Sequence, residues 1–432
     1  MFLALVVLIL GTAAVYAGTV WNSTTNTLKS TYTNLGNNST LTADKPLTIL
    51  LMGVDTGDAS RGGATSWDGN SDSQIVMTLN PKTKTATMVS LERDTMTNII
   101  DNKGNIVSQQ KMNAAYPSGY NAGGLNDAAL YAMSTIGQQA GIPINNFVAI
   151  NMDGLVSLVN DVGGISVVND SGGNDAYQGT SEGQQIQLPT GETVDSGAIY
   201  ISNTEPAYTA YVPYYSDHRE QTLNGEQALV FARDRDTLAN GDYGRAAHQR
   251  EVLSQLAKKL VNLNNISQYQ KFLNDISGDI KTNIAIDATN LPKLIAYKDC
   301  FNKVVSIQYQ GVGETAAGSD GASASYQFMP QEVDLAVQNA MLRSIGSSTI
   351  SSLNSNIITY ESYFNTTPAS YYLPSATVTE GKKTTTYGVD SKGNFVSLNS
   401  GNASNYVSAT GGSVGDSSNS SSNSSSPSSS SQ

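Results

Sequence analysis

The chain has 432 residues, 39% of them hydrophobic, which is enough apolar material for one large domain or two medium ones with a sizeable core. Its formal net charge of −12 excludes a general nucleic-acid binder, whose affinity comes from an extended basic surface that releases counterions. One cysteine and two histidines exclude an intramolecular disulfide and any multi-cysteine or His-rich metal centre, so a bound metal would be a hard ion held by carboxylates.

From Phe2 to Val20 no residue is charged, and about twenty residues rising roughly 1.5 Å each cross a bilayer core of about 30 Å. Residues 1–21 therefore read as a retained single-pass anchor, although Val15-Tyr16-Ala17 before Gly18 also has the small-residue character of a cleavage site. No basic residue precedes the segment to orient it. The Ser/Thr/Asn-rich stretch that follows, 22–46, suits a spacer.

The folded part begins with a buried strand over Leu47 to Val54. Gln74 to Leu79 and Thr85 to Leu91 form a hairpin across the turn Asn80-Pro81-Lys82-Thr83. Leu125 to Gln139 has helical spacing, Phe147 to Asn151 is a short strand, Leu155 to Val159 a short helix, and Ile165 to Val168 a strand after Gly163-Gly164. Strands alternating with helices predict a layered α/β domain. Further on, a helical stretch from Gly225 carries Ala228, Leu229 and Phe231. A second helix from Asp242 buries Leu253, Leu256 and Leu260. Val304 to Gln308 reads as a late strand and Glu332 to Leu342 as a last helix, so the domain is placed at 47–343. Residues 344–412 are an extension of polar composition, and 413–432 a disordered Ser/Asn-rich tail.

Three clusters carry chemistry. Asp55 ends the first strand, and a loop with Gly57, Gly62, Gly63 and Gly69 leads to Asp72 at the start of the next. Two carboxylates at adjacent strand ends can share one Mg²⁺, and equally an aspartate there can simply bond its own turn. Ser90-Leu91-Glu92-Arg93-Asp94-Thr95 puts an arginine where a sheet opens to ligand. Arg219, Arg233, Arg235, Arg245 and Arg250 crowd into one stretch, leaving Arg61, Arg93 and Arg343 elsewhere. Planar guanidinium groups grip phosphates bidentately. Arg233 and Arg235 share a face only in extended backbone, so the helix is expected to end before them. With Asp242 as N-cap, Arg245 takes the third helical position, and His248 and Gln249 follow on the same face. The free N–H groups of that helix start favour an anion.

Leu50-Leu51-Met52-Gly53-Val54-Asp55, Ser71-Asp72-Ser73, Ser90 to Thr95, Lys111-Met112-Asn113-Ala114-Ala115-Tyr116, Val162-Gly163-Gly164-Ile165 and the Arg233 to Gln249 block stand in the order and approximate spacing of LytR-CpsA-Psr proteins. From about Leu47 to Leu342 the chain resembles that family. The resemblance implies an α-β-α domain with a central mixed sheet flanked by helices, anchored in the cell membrane by one N-terminal helix and facing outward in Gram-positive bacteria. It implies transfer of wall teichoic acid, capsular polysaccharide or a related glycan from an undecaprenyl-pyrophosphate carrier to peptidoglycan.

By position, the resemblance makes Asp55 and Asp72 the Mg²⁺ carboxylates. Arg93, Arg233, Arg235, Arg245 and Gln249 become the pyrophosphate clamp and Asp242 the residue orienting the arginines. Asp72, Arg93, Arg235 and Arg245 form the catalytic set, with Asp72 or Asp55 as the base. Three positions depart from the family pattern: Asn70 stands for arginine, Glu92 for proline and His248 for arginine. Arg61 is a candidate to replace the charge missing at Asn70. The lipid calls for an apolar cavity, which Ile75 to Leu79 and Met88 to Leu91 would line unless they are simply core. Two other readings stay open: a polyprenyl-pyrophosphate hydrolase, and a non-catalytic glycan-binding or regulatory protein of the transcriptional-attenuator kind.

Overall fold

Every residue of β1 (Leu47–Val54) except Gly53 is buried, and the strand divides its side chains between two apolar layers. Ile49 and Leu51 enter one, while Leu50, Met52 and Val54 enter the other. A strand covered on both faces reads as a near-continuous apolar run, which is what the sequence shows. The computed structural model describes residues 31–36, 41–56, 67–169, 185–187, 193–195, 199–200, 211–212, 219–234, 238, 241–261, 278–285, 290, 293–294 and 296–407.

β2 (Ser71–Asn80) and β3 (Thr85–Ser90) form the expected hairpin beside β1. A second hairpin, β4 (Met96–Ile100) with β5 (Ile106–Lys111), was not evident from sequence. Helix α1 (Ala115–Ala140) follows, then β6 (Asn146–Ile150), α2 (Met152–Asp161) and β7 (Ile165–Val168). Two short ribbons come next, β8 (Gln185–Gln187) with β9 (Thr193–Asp195) and β10 (Ile199–Tyr200) with β11 (Tyr211–Val212). β12 (Glu220–Leu223) pairs with β7 and leads into α3 (Gly225–Arg233), α4 (Asp242–Val261) and β13 (Ile280–Thr282). The chain ends through β14 (Lys303–Gln308), the hairpin β15 (Val312–Ala317) and β16 (Ser323–Phe328), α5 (Gln331–Ser344), α6 (Tyr360–Phe364), β17 (Ser375–Glu380), β18 (Lys383–Val389) and β19 (Phe395–Ser397).

Nine strands make one mixed sheet in the order β13-β6-β1-β2-β3-β14-β17-β18-β19. Pairs β1–β6 and β3–β14 are parallel and the rest antiparallel. Val252, Leu253 and Leu256 of α4, with Leu155 and Leu158 of α2, cover one face; Ile136 of α1 and Val337 of α5 cover the other. This is the expected α-β-α layering.

Several boundaries moved for local reasons. α1 starts ten residues earlier than the helix expected from Leu125, but it is broken at Gly123 and Gly124. Gly124 has φ 73° and ψ −156°, a conformation that only glycine adopts without strain, so the predicted start coincides with the kink. Part of the expected spacer 22–46 packs on the domain: Thr33 N donates to Thr282 O at 2.7 Å, and Leu41 is buried. The extension 344–412 supplies three strands of the central sheet. Cys300 is a buried core residue. Among the described residues no helix is long and apolar enough to cross a membrane. The anchor expected at Phe2 to Val20 and the tail at 413–432 lie outside the described residues.

Candidate active site

The site lies at the end of β1 and the start of β2. A register shift between Gly53 and Val54 sets Val54 against Ser71, so Asp55 and Asp72 stand at neighbouring strand ends. Asp55 N donates to Asn70 O at 3.0 Å. A Cβ on Gly69 would fall 1.5 Å from Asp55 O, so glycine is what lets the backbone at Gly69 run this close to the end of β1.

The Ser90 to Thr95 segment leaves β3 and is pinned from several sides. Leu91 N donates to Gln74 O (2.9 Å), Asn113 N to Arg93 O (3.0 Å) and Gln327 N to Asp94 O (2.9 Å). Thr95 donates to Glu92 O through both N (3.1 Å) and Oγ1 (2.7 Å). A backbone fixed this way holds the intervening side chains in one arrangement.

Arg93 Nη1 donates to Asp72 Oδ1 at 2.9 Å, and its Nε lies 3.7 Å from Asp94 Oδ2 and 4.0 Å from Asp242 Oδ2. Arg245 Nη2 sits 3.0 Å from Asp242 Oδ1. Two arginines from distant parts of the chain thus meet at one carboxylate. Lys111 Nζ pairs with Asp94 Oδ1 at 2.9 Å. Gln249 accepts from Ser73 Oγ (2.8 Å) and donates to Ala232 O (3.3 Å), joining α4 to the start of β2 and the end of α3. The Tyr243 hydroxyl accepts from Gly311 N (2.9 Å) and donates to Gln327 Oε1 (3.1 Å), which fixes the first turn of α4.

Burial pulls the Arg93 guanidinium down, but Asp72, Asp94 and Asp242 outweigh it and hold it above its ordinary value. For Arg245 burial wins and the shift is downward. Glu92, 8% exposed, has its carboxyl pushed up to about 8, first by burial and then by Asp242. Burial alone lowers Arg250 to about 10; its Nη1 donates to Ser90 Oγ at 2.7 Å.

The structure therefore brings together Asp72, Arg93, Asp242 and Arg245, with Gln249 beside Asp72 on Ser73. Arg233 is adjacent to Ala232 but turns its Nη1 onto Met152 Sδ at 2.7 Å. Arg235 and Arg61 lie outside the described residues. Three details of the expected local geometry are corrected. α3 runs through Arg233 and ends at Asp234, which is extended at ψ 131°. Asp242 is the first helical residue of α4, not its N-cap, which moves Arg245 one position along. His248 and Gln249 do not share a role, being about 100° apart around the helix: His248 Nδ1 is 2.9 Å from Phe231 O and its ring stacks on Phe231 at 3.7 Å.

The lining expected for a lipid is core among the described residues. Ile75, Met77, Leu79 and Met88 pack in the same apolar layer as Leu253 and Leu256. A groove of about 1180 Å³ opens at the opposite end of β1, by Leu47, Gly141, Asn146 and Leu353, and touches none of the charged residues above. Among the described residues the carboxylates that converge, with oxygens within 4.8 Å of one another, are Glu92, Asp94 and Asp242, and neither Asp55 nor Asp72 is in that group. The site roles of Glu92, Asp94, Lys111, Ser73 and Tyr243 escape sequence reasoning. They arise from contacts across long sequence separations that no local pattern marks.

A two-arginine corner with four carboxylates at the end of a mixed sheet marks the chain as an α/β protein with a concentrated charged site. The LytR_cpsA_psr family profile matches residues 15–343. The chain belongs to the LytR-CpsA-Psr family. It is 35% identical over 357 residues to biofilm regulatory protein A of Streptococcus mutans, spanning 81% of this chain and 77% of that protein. It is 34% identical to the polyisoprenyl-teichoic acid–peptidoglycan teichoic acid transferase TagU of Enterococcus faecalis, spanning 69% and 79%. The solved structure of protein gbs0355 from Streptococcus agalactiae is similar with a TM-score of 0.60 and 38% identity, covering 76% of this chain and 98% of that one.

Proposed function

We propose that this protein moves a phosphate-linked glycan from a polyprenyl-pyrophosphate carrier to a sugar hydroxyl of peptidoglycan. The carrying observation is that Arg93 and Arg245 meet on Asp242 while Asp72, 41% exposed, stays open to an incoming group. Similarity to proteins named teichoic acid transferases supports the reading. The apolar segment Phe2 to Val20 would hold the domain on the outer membrane surface, where such a carrier presents its head group.

The acceptor hydroxyl attacks the glycan-bearing phosphorus, the bond to the bridging oxygen breaks, and polyprenyl phosphate leaves. Arg93 and Arg245 take up the charge that develops on the phosphate oxygens, and Asp242 keeps the two guanidinium groups aimed. The family resemblance assigns Arg233, Arg235 and Gln249 to the same clamp. Asp72 or Asp55 takes the hydroxyl proton. The donor set at the two strand ends, hard carboxylate oxygens with one partly exposed, fits Mg²⁺, which needs only one or two protein carboxylates. Held by Asp55 and Asp72, the ion would neutralise phosphate charge.

Incubating the full chain with a lipid-pyrophosphoryl glycan, Mg²⁺ and peptidoglycan tests this, and acceptor-linked glycan is the expected product. Free phosphoglycan without acceptor product would make the protein a hydrolase. The relative named biofilm regulatory protein A favours a second reading, a regulator that binds glycan without turnover. Binding with neither product would establish it.

A further inference from the structure

Four carboxyl groups share three cations in this corner. Arg93 bonds Asp72 and reaches Asp94 and Asp242, Arg245 pairs with Asp242, and Lys111 pairs with Asp94. The fourth acid, Glu92, is the most buried, and among the described residues no cation lies within ion-pair distance of its carboxylate. Its oxygen is within 4.8 Å of those of Asp94 and Asp242. The groups that face it are Arg93 and Asp94 on its own segment, Asp242, Tyr243 and Arg245 on α4, and Tyr309 after β14. Arg250 lines the same small cavity but bonds Ser90. With Glu92 ionised the four acids exceed the three cations by one charge; with Glu92 protonated the corner is neutral.

We propose that Glu92 works as an uncharged carboxylic acid, a positioning residue whose neutrality leaves the Arg93 and Arg245 donors that Asp242 does not hold free for a substrate pyrophosphate. The proposal rests on the phosphotransfer reading above. An ionised Glu92 would place an unneutralised anion beside the phosphates and hold Arg245 by attraction in a desolvated site, where such terms are strongest. Burial and the Asp242 carboxylate carry its pKa up to about 8. As pH rises through that value the proton is lost, and anion binding weakens.

The test uses the full chain in detergent micelles with geranylgeranyl pyrophosphate as probe. Affinity is measured by calorimetry at pH 7, 8 and 9 for wild type and Glu92→Gln, whose amide is neutral at every pH. If binding needs the protonated acid, wild-type affinity falls about tenfold relative to the variant between pH 7 and 9. Parallel curves overturn the proposal, and so does a variant already tenfold weaker at pH 7. Glutamate labelled with ¹³C at the carboxyl gives an independent readout. The resonance missing from Glu92→Gln should titrate near 8, and titration in the ordinary carboxylate range overturns the proposal. A wild-type chain that binds no pyrophosphate at pH 7 while that resonance titrates near 8 overturns the phosphotransfer reading and the binding half of this proposal, not the protonation.

Discussion

Replacing Arg93 with alanine should separate catalysis from stability. The guanidinium touches Asp72 at 2.9 Å, Asp94 at 3.7 Å and Asp242 at 4.0 Å, yet only the first contact is a hydrogen bond. Asp72 is 41% exposed, so solvent screens the pair and its contribution to folding is about 0–1 kcal/mol. Loss of a preorganised donor to a developing oxyanion costs far more, roughly a hundred- to a thousandfold in rate, or about 3–4 kcal/mol. Arg93→Ala should therefore lose at least about a hundredfold in glycan transfer while its melting temperature moves by a few degrees. Arg93→Lys, which keeps the charge without the planar fork, should fall between the two. Transfer kinetics with a lipid-pyrophosphoryl glycan, paired with calorimetric melts, make the comparison. Activity within threefold of wild type, or a loss fully accounted for by unfolding, would refute the reasoning.

Asp334, 2% exposed, has its carboxyl raised to about 8 by burial, against the pull of the hydrogen bond from Gln139 at 2.9 Å. The folded state keeps a proton that the unfolded chain gives up near 4, so the contribution of this group to stability is greatest at acid pH. It declines between about 4 and 8, by up to about 1.4 kcal/mol per pH unit. Asp334→Asn removes this decline, so its melting-temperature advantage over wild type should grow from pH 5 to pH 8; a constant difference would count against it. Gly124→Ala meets no atom within 4 Å but forces a side chain onto φ +73°, so it should lower stability by about 1–3 kcal/mol through backbone strain alone. An unchanged denaturation midpoint would exclude that strain. Chelation with EDTA should stop transfer and added Mg²⁺ restore it, and Asp72→Asn should respond to neither; transfer that persists in EDTA would remove the ion from Asp55 and Asp72.

The central strands were legible because their residues alternate between two buried layers, which leaves an apolar run of strand length in β1 and β2. The turn at Asn80-Pro81 and the glycines before β7 punctuated them. Strands β4, β5 and β15 to β19 were not legible. Exposed Ile106 and Val107, or Thr384 to Thr386 in β18, carry no apolar periodicity, and pairing with a distant partner is what makes them strands. At the site, the arginine and aspartate types and the resemblance pointed to Asp72, Arg93, Asp242 and Arg245. Glu92 was noticed only as an unusual substitution. Its significance depends on how deeply it is buried and on which carboxylates arrive from α4, and both are properties of the folded chain.

The family match stops at residue 343, but β14 bonds on its far side to β17, whose Ser375 and Ala376 are fully buried. A chain cut at the family boundary would display a bare row of amide and carbonyl groups along β14, the usual template for intermolecular pairing. Any truncated version meant for crystals or assays should therefore run to about residue 407, because a shorter one is expected to aggregate for reasons unrelated to its chemistry.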